Sequence, residues 1–308
     1  MVASTDTDAA PASAPLPASP LPLNEGPYGH VIRGAQREAF AAPSPLASAP
    51  AGVLAIARAA SAFETLSLAE LGSAALMDRI DTKFLVPAVA VPGLLDHCVG
   101  HYRLLQVNGT VLARYNTRYF DTPDLRLYHA HHAGRTPRVK VRVRTYVDSK
   151  VGFLEIKLKT NKERTLKARV PVDPDSQNPL ERLNRDSFFG LPLSAADLRE
   201  SVVIDYTRLT LVRKDEPERL TLDLMLSFTR DGQVRSYPGV VVAEVKQERR
   251  GPSYFHEAMR ELGLREGALS KYCLGIASLE ERAKKNRFKG ALRRLERIGD
   301  ERLVPAHL

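Results

Sequence analysis

Residues 139–144 alternate strictly between valine and a cationic side chain, and this pattern restricts the possible folds more than any other feature. Residues 154–159 alternate in the same way between apolar and charged side chains, and residues 165–170 form a third such run. Because successive side chains of a β-strand point to opposite faces, each run predicts a strand with one apolar and one charged face. Turn residues at 148–150 and 160–162 separate the runs, so the pattern predicts an antiparallel meander.

Similar patterns occur along much of the chain. Further strands are predicted at residues 79–86, 101–107, 114–120, 202–213, 219–229 and 239–247. Helices are predicted at residues 67–76, 88–98, 194–199 and 253–263. About eight or nine strands suit a closed barrel that is wide enough to hold a small ligand. The expected fold class is therefore α+β, with an antiparallel closed β-barrel of about eight strands that is flanked by helices.

Composition divides the chain into three parts. The first 50 residues contain 12 Ala and 9 Pro, and so many prolines prevent a regular apolar period. We expect residues 1–60 to be a disordered arm, residues 61–279 to form the barrel domain, and residues 280–308 to form a basic helical tail. The N-terminus does not have the pattern of a secretory signal, and no apolar run is long enough for a transmembrane segment, so we expect a cytoplasmic protein.

The positive charge is concentrated in the predicted meander. Residues 101–170 hold 16 Lys and Arg against five Asp and Glu, an excess larger than the net charge of +9 of the whole chain. The cationic face is either the solvated face of a sheet or the inner face of a barrel. A solvated face usually mixes signs, because like charges directly opposite each other destabilise a sheet. Three consecutive strands with almost no anions therefore favour the inner face.

A barrel with its cations inside would form a basic tunnel. Its low-dielectric walls would strengthen each charge, and a long, thin polyanion would fit the tunnel better than a nucleic-acid duplex. Glu155 and Glu244 each lie two residues from a lysine on the same predicted strand face, Lys157 and Lys246 respectively. Carboxylates among cations suit a site where Mg²⁺ or Mn²⁺ binds together with phosphate oxygens.

Six motifs occur in the order found in one known family. They lie at residues 78–84 (DRIDTKF), 119–123 (YFDTP), 138–144 (RVKVRVR), 153–159 (FLEIKLK), 243–246 (AEVK) and 270–273 (SKYC). Together they resemble the VTC domain, the catalytic module of the vacuolar transporter chaperone polyphosphate polymerase. The resemblance covers about residues 62–279 of the sequence and implies the triphosphate tunnel metalloenzyme fold, an antiparallel barrel with a basic interior.

The resemblance implies roles for individual side chains. The cations expected to act on phosphate in catalysis are Lys83, Arg142, Arg144, Lys157, Arg208 and Lys271. Further cations expected to bind substrate are Lys140, Lys159, Lys167, Arg169 and Lys246. Glu244 matches the metal-binding glutamate of the family, and Glu155 is a second metal ligand or a structural carboxylate. The Glu-x-Glu-x-Lys pattern of the wider superfamily is absent from the sequence, which favours the VTC branch.

The implied activity is transfer of the ATP γ-phosphoryl group onto orthophosphate or a growing polyphosphate chain, with Mn²⁺ or Mg²⁺ as cofactor. The expected partners are ATP or another triphosphate and polyphosphate or orthophosphate. Two alternatives stay open: a tripolyphosphatase or nucleoside triphosphatase with the same site, and a non-catalytic binder of polyphosphate or nucleic acid. We expect no specific nucleic-acid partner, because aromatic and basic residues do not interleave as they do in single-strand binders. The sequence specifies neither an oligomeric state nor a transmembrane segment.

Other candidate groups have structural explanations. His129, His131 and His132 are expected in a loop between strands, and no partner at zinc-ligand spacing accompanies them. Residues 121–124 have the composition of a turn, and we assign them no catalytic or binding role. Asp223 alternates with apolar neighbours and so could face the tunnel, although Met225 on the same face suggests a partly apolar surface there.

Overall fold

A computed structural model describes residues 51–71, 80–162, 164–181, 183 and 186–300 of the chain. The strands are β1 (Thr65–Ser67), β2 (Ile80–Pro87), β3 (Tyr102–Gln106), β4 (Ala113–Asp121), β5 (Arg138–Tyr146), β6 (Val151–Lys159), β7 (Thr165–Val172), β8 (Arg199–Arg213), β9 (Glu218–Arg230), β10 (Gln233–Tyr237) and β11 (Val240–Gln247). The helices are α1 (Ala51–Ala60), α2 (Val91–Cys98), α3 (Arg126–Ala133), α4 (Tyr254–Glu261), α5 (Lys271–Leu279) and α6 (Lys289–Asp300).

The 11 strands belong to one sheet, whose main path runs β2-β11-β9-β8-β4-β5-β6-β7 with antiparallel neighbours throughout. β3 pairs with β8, β10 pairs with β9, and β1 pairs in parallel with β3. The structure confirms the α+β class and the antiparallel meander. The expectation of a closed barrel needs one correction: within the described ranges, no ladder of hydrogen bonds joins β2 to β7.

The two faces of the sheet differ in chemistry because the side chains alternate. On β5 and β6, Val141 and Ile156 lie on the outer face and pack against Phe188 of the segment between β7 and β8. The outer faces of β2, β9 and β11 pack against α1, α2 and α4 in a second apolar cluster. The charged rows of these strands therefore lie on the opposite, inner face. We call the space lined by this face the bore.

Helix α1 corrects the predicted extent of the N-terminal arm. It covers the last ten residues of the segment expected to be disordered, and Ile56 and Ala60 are buried against α2 and the sheet. Its apolar residues follow Pro50, after the proline-rich stretch has ended. Residues 1–50 lie outside the described ranges, as do residues 72–79 of the helix predicted at 67–76; the rest of that prediction holds the end of β1 and a short 3₁₀ turn.

Helix α3 corrects the prediction of a histidine-rich loop. The buried carboxylate of Asp121 accepts hydrogen bonds from the backbone N–H groups of Leu127 (2.9 Å) and Tyr128 (2.9 Å), which have no partner within the helix. The hydroxyl of Tyr272 donates to the same carboxylate. The helix ends at Gly134, whose φ of 69° is the left-handed conformation that glycine favours. The carboxylate of Asp121 therefore stabilises the start of α3.

Helices α5 and α6 fill one side of the inner face. The side chain of Ser270 caps α5 by accepting a hydrogen bond from the backbone N–H of Cys273 (3.3 Å). Tyr272 and Ile276 of α5 pack in one cluster with Leu295 and Ile298 of α6. The segment expected to be a basic helical tail thus contributes to the core, and its cations lie on the face of α6 that points away from this cluster.

A basic bore as the candidate functional site

The inner faces of β5, β6 and β7 form a surface that we call the basic wall. Its members are Lys140, Arg142, Arg144, Glu155, Lys157, Lys159, Lys167 and Arg169. The strand register places Arg142 opposite Glu155, and Glu155 opposite Arg169. Two residues further along each strand, the register forms a row of three lysines: Lys140 lies opposite Lys157, and Lys157 lies opposite Lys167. Alternation within each strand and antiparallel pairing thus bring these predicted residues together.

Glu155 neutralises part of the basic wall. Its carboxylate accepts a 2.6 Å hydrogen bond from Nε of Arg142, and Nη2 of the same guanidinium also lies 2.6 Å away. Arg169 and Arg144 approach the carboxylate to 3.6 Å and 3.9 Å. Burial alone would raise the pKa of Glu155, but the three arginines outweigh it and lower this pKa to about 2. Glu155 is therefore ionised and holds the arginines in position.

The opposite wall, which we call the mixed wall, carries cations and carboxylates in alternation. Its members are Lys83 on β2, Glu244 and Lys246 on β11, Asp223 on β9 and Arg208 on β8. Glu244 lies between two lysines, with its oxygens 2.9 Å from Nζ of Lys83 and 2.7 Å from Nζ of Lys246. Burial opposes the charge on Glu244, yet Lys246 and Lys83 hold its pKa well below the usual range.

Asp223 is the most deeply buried acid of the mixed wall, with 1% of its side chain exposed. It accepts two hydrogen bonds from Arg208, from Nε at 2.6 Å and from Nη2 at 2.8 Å, and a third from Lys271 at the start of α5. This bidentate geometry fixes the plane of the guanidinium. The sequence indicated only that Asp223 could face the tunnel; the register that pairs it with Arg208 decides its role.

The first turn of α5 connects the two walls. Lys271 contacts Asp223 on the mixed wall, while Nζ of Lys140 on the basic wall donates a 3.0 Å hydrogen bond to the hydroxyl of Ser270. The motif at residues 270–273 therefore has two functions, since Ser270 both caps the helix and contacts a cation of the bore. Its position between the walls depends on the tertiary fold and was not predicted from the sequence.

Tyrosine rings support the arginines and were also missed from the sequence. The guanidinium of Arg208 lies 5.0 Å and 5.2 Å from the ring centres of Tyr115 and Tyr206. The hydroxyl of Tyr119 accepts a 2.9 Å hydrogen bond from Arg142. Tyr115 and Tyr119 share one face of β4, so period two was the available signal there, but aromatic residues on strands more often belong to a core.

Two lysines of the bore are less basic than usual. Desolvation by the surrounding protein lowers the pKa of Lys157 to about 8, although part of the side chain is exposed; Lys140 and Arg142 add to this effect and Asp81 opposes it. Burial likewise lowers the pKa of Lys246 to about 8 despite its contact with Glu244. The protein thus concentrates positive charge to the point where both lysines lose their charge as the pH rises through about 8. A bound polyanion would offset this repulsion.

A divalent cation fits the chemistry of the mixed wall. Glu244 supplies hard oxygen donors, which Mg²⁺ and Mn²⁺ prefer. Within the described ranges, no three His, Cys, Asp or Glu side chains gather closely enough to hold a metal by themselves. Mg²⁺ is typically bound by one or two carboxylates together with phosphate oxygens and water, so a single carboxylate beside a phosphate site suits it.

The histidines of α3 take no part in this surface. The ring nitrogen Nε2 of His131 lies 3.3 Å from the carbonyl oxygen of Val139. Burial lowers the pKa of His131 to about 3, helped by the charge of Lys140, so this imidazole is neutral. The predicted absence of a zinc site among these histidines stays a prediction.

A family model, the VTC domain, matches residues 78–188 and 191–280. The chain belongs to the VTC domain family. Membership and the geometry of the two walls together support an activity on triphosphates or polyphosphate, of the phosphotransferase or triphosphatase kind. Among curated proteins, none matches this VTC domain protein. None of the helices in the described ranges has the length and apolar character that a bilayer crossing requires.

Several solved structures are similar to this VTC domain. A candidate adenylate cyclase from Bacillus halodurans is 15% identical, with 69% of this chain and 97% of that chain covered and a TM-score of 0.43. A candidate adenylyl cyclase from Hippeastrum, described as having a dominant triphosphatase activity, is 16% identical, with 65% and 96% covered and a TM-score of 0.46. A protein from Pyrococcus horikoshii is 13% identical, with 66% and 99% covered and a TM-score of 0.38.

Proposed function

We propose that this protein is a metal-dependent polyphosphate polymerase that transfers the γ-phosphoryl group of ATP onto a polyphosphate chain. The observation that carries the proposal is the facing pair of walls, one almost purely cationic and one with a carboxylate between lysines. The VTC family supports a polymerase, because the motifs that match it supply most of these side chains. We expect the reaction to take place in the cytoplasm.

The basic wall would bind the acceptor chain. Its arginines and lysines repeat every second residue along three neighbouring strands, so a linear polyanion meets a cation at each step. Arg142 and Arg144 offer planar guanidinium groups that suit phosphate oxygens. Glu155 acts here as a positioning residue, because it orients the arginines and has no oxygen free of them.

The mixed wall would bind the triphosphate of ATP. Asp223 holds Arg208 and Lys271 in one geometry, and Lys83 and Lys246 flank Glu244. Of the described carboxylates, we assign Glu244 as the metal ligand. Both of its oxygens contact lysines, so Lys83 or Lys246 would turn towards phosphate when the ion binds. The ion would supply Lewis-acid neutralisation of charge on the phosphate oxygens.

The transfer needs no nucleophile from the protein. A terminal phosphate oxygen of the acceptor forms the new P–O bond, the bond between the γ-phosphorus and its bridging oxygen breaks, and ADP leaves with that electron pair. The main barrier is repulsion between two polyanions, and the cations of both walls lower it by neutralising donor and acceptor. A narrow bore would also lower the barrier by holding the donor and the acceptor in line for the transfer.

A product analysis tests the proposal. The purified protein is incubated with ATP and Mn²⁺ or Mg²⁺, with and without a tripolyphosphate primer, and chain length, ADP and free phosphate are followed over time. Chains that lengthen as ADP accumulates, with little free phosphate, support the polymerase.

Two other results would change the assignment. Free phosphate in proportion to ATP consumed, without chains, identifies a triphosphatase with the same site residues. No turnover with any of these substrates, together with tight tripolyphosphate binding, identifies a binding module and removes the catalytic role of Glu244. Omitting the metal is the control that separates enzymatic turnover from slow chemical hydrolysis.

A further inference from the structure

A set of cations lies outside the bore, where β5 begins. The inner-face row of β5 runs from Arg144 through Arg142 and Lys140 to Arg138, which stands opposite Lys159 at the end of β6. Nη1 of Arg138 lies 3.4 Å from the carbonyl oxygen of Gly134 in the loop that leaves α3. The row of the basic wall therefore continues to the first residue of β5, beside the loop that leaves α3.

The chain segment before α6 extends this row. The guanidinium of Arg287 packs on Gly134, whose carbonyl oxygen Arg138 contacts, and also contacts the carbonyl oxygen of His132 at 3.4 Å. The hydroxyl of Tyr128 donates a 2.6 Å hydrogen bond to the carbonyl oxygen of Lys284. These contacts bring the end of α3 and the segment before α6 together, although more than 100 residues separate them in sequence.

The cations of this surface make no ion pairs. We define the cationic track as Arg138, Arg135, Lys284, Lys285 and Arg287, which begins beside Lys159 of the basic wall. In the part of the chain that the structure describes, none of these five side chains forms an ion pair. Other surface arginines do have acidic partners, as Arg114 does with Asp148 at 2.6 Å and Arg250 with Glu266 at 2.9 Å. Unpaired like charges on one surface repel each other, and a bound polyanion would offset that repulsion.

We propose that a polyphosphate chain longer than the bore continues onto the cationic track, which binds its distal phosphates. This inference rests on the proposed function in one respect, since it takes polyphosphate as the ligand. A linear chain with one charge per unit fits a narrow row of cations that leads directly out of the basic wall. The affinity of the protein for polyphosphate then depends on chain length, because only a long chain reaches the track.

Equilibrium binding tests the track without requiring turnover. The affinities for tripolyphosphate and for a polyphosphate of about 60 units are measured at several salt concentrations. For a single-stranded polyanion, each phosphate contact steepens the slope of log K against log salt concentration by about 0.7. The test variant combines Arg135→Gln, Lys284→Gln and Arg287→Gln. The control variant combines Arg58→Gln, Arg249→Gln and Arg260→Gln, which removes the same charge from exposed residues elsewhere.

We expect the test variant to bind the long chain roughly 10- to 100-fold more weakly, and its slope of log K against log salt concentration to be shallower by roughly two. Its affinity for tripolyphosphate should stay within about twofold of the wild type. The control variant should change neither value by more than about threefold. Equal losses for both ligands, or for both variants, would show a general effect of charge and overturn the proposal.

Two further measurements keep the result unambiguous. If Arg287→Gln disturbs the packing on Gly134 and lowers the melting temperature, the double variant Lys284→Gln and Lys285→Gln is used, and it should show the same length-dependent loss at smaller size. Loss of binding to phosphatidylserine vesicles with unchanged polyphosphate affinity would assign the track to membrane surfaces and contradict the proposal. A protein that binds chains in a length-dependent way but makes none would refute the polymerase and leave the track intact.

Discussion

The basic wall and the mixed wall face each other across the bore, yet they differ in how their cations are balanced. Glu155 is the single acidic residue in the sequences of β5, β6 and β7, and three arginines surround it. On the mixed wall, Glu244 and Asp223 each hold two cations. On the proposed function, this difference corresponds to a division of work: the wall with the larger excess of cations would suit a long polyanion, and the wall with more carboxylates would suit a metal with a triphosphate.

The largest effect should come from removing the carboxylate of Glu244. Glu244→Gln keeps the size of the side chain but loses the proposed metal ligand, so we expect turnover to fall by about 10²- to 10³-fold or more. Tripolyphosphate binding without metal should not weaken, because an anion has left the wall. Glu261→Gln, at an exposed site on α4, is the control, and normal turnover by the Glu244 variant would remove the metal role from the mixed wall.

The second effect concerns the positioning of cations by Asp223. Asp223→Asn leaves Arg208 and Lys271 without their shared carboxylate, and we expect kcat/KM to fall by about 10- to 100-fold. The loss should lie mainly in kcat, since both cations stay in the bore but lose their fixed geometry. Measurement of kcat and KM, beside the exposed control Asp96→Asn, checks this, and a pure rise in KM would show that Asp223 acts on binding alone.

The third effect tests the basic wall. Arg142→Ala removes a guanidinium that contacts Glu155 and Tyr119, and we expect tripolyphosphate to bind about 10- to 30-fold more weakly by calorimetry. Arg142→Lys should fall between the wild type and the alanine variant, because it keeps the charge and loses the planar fork. Equal affinity of all three proteins would mean that the side chain does not contact phosphate.

The smallest effect is a dependence on pH. The pKa values of Lys157 and Lys246 are lowered to about 8, so both side chains lose their positive charge as the pH rises through that value. Tripolyphosphate affinity should therefore decrease about fivefold between pH 7 and pH 9. Lys157→Arg stays charged over this range and should flatten part of the decrease, whereas a profile identical to the wild type would place Lys157 outside the binding surface.

Much of the site could be predicted from the sequence because alternation in a strand fixes which side chains share a face. The alternation of apolar and cationic residues was enough to place Lys140, Arg142 and Arg144 on one face of a strand. Contacts between strands were harder, because alternation does not specify register. The pairing of Arg208 with Asp223, and of Arg142 with Glu155, depends on that register and could not be read from either strand alone.

The missed helices have local causes. Helix α3 depends on a buried carboxylate that precedes it and on a glycine that ends it, and the cluster of histidines masked both signals. Helix α1 is short and rich in alanine, like the proline-rich segment before it, so composition did not separate the helix from that segment. The unbonded edges of β2 and β7 were not foreseen, since the number of strands sets the size of a barrel but not whether its ladder closes.

The carboxylates inside the bore have a consequence for turnover. Glu155, Asp223 and Glu244 already occupy the cations that an incoming phosphate would contact. On the proposed function, a phosphate oxygen would share these cations with the resident carboxylates, so each phosphate contact would be weaker than a contact with an unpaired cation. When product departs, each cation would still have its resident anion. The resident acids would therefore lower the affinity for phosphate and keep a highly charged interior from retaining its own product.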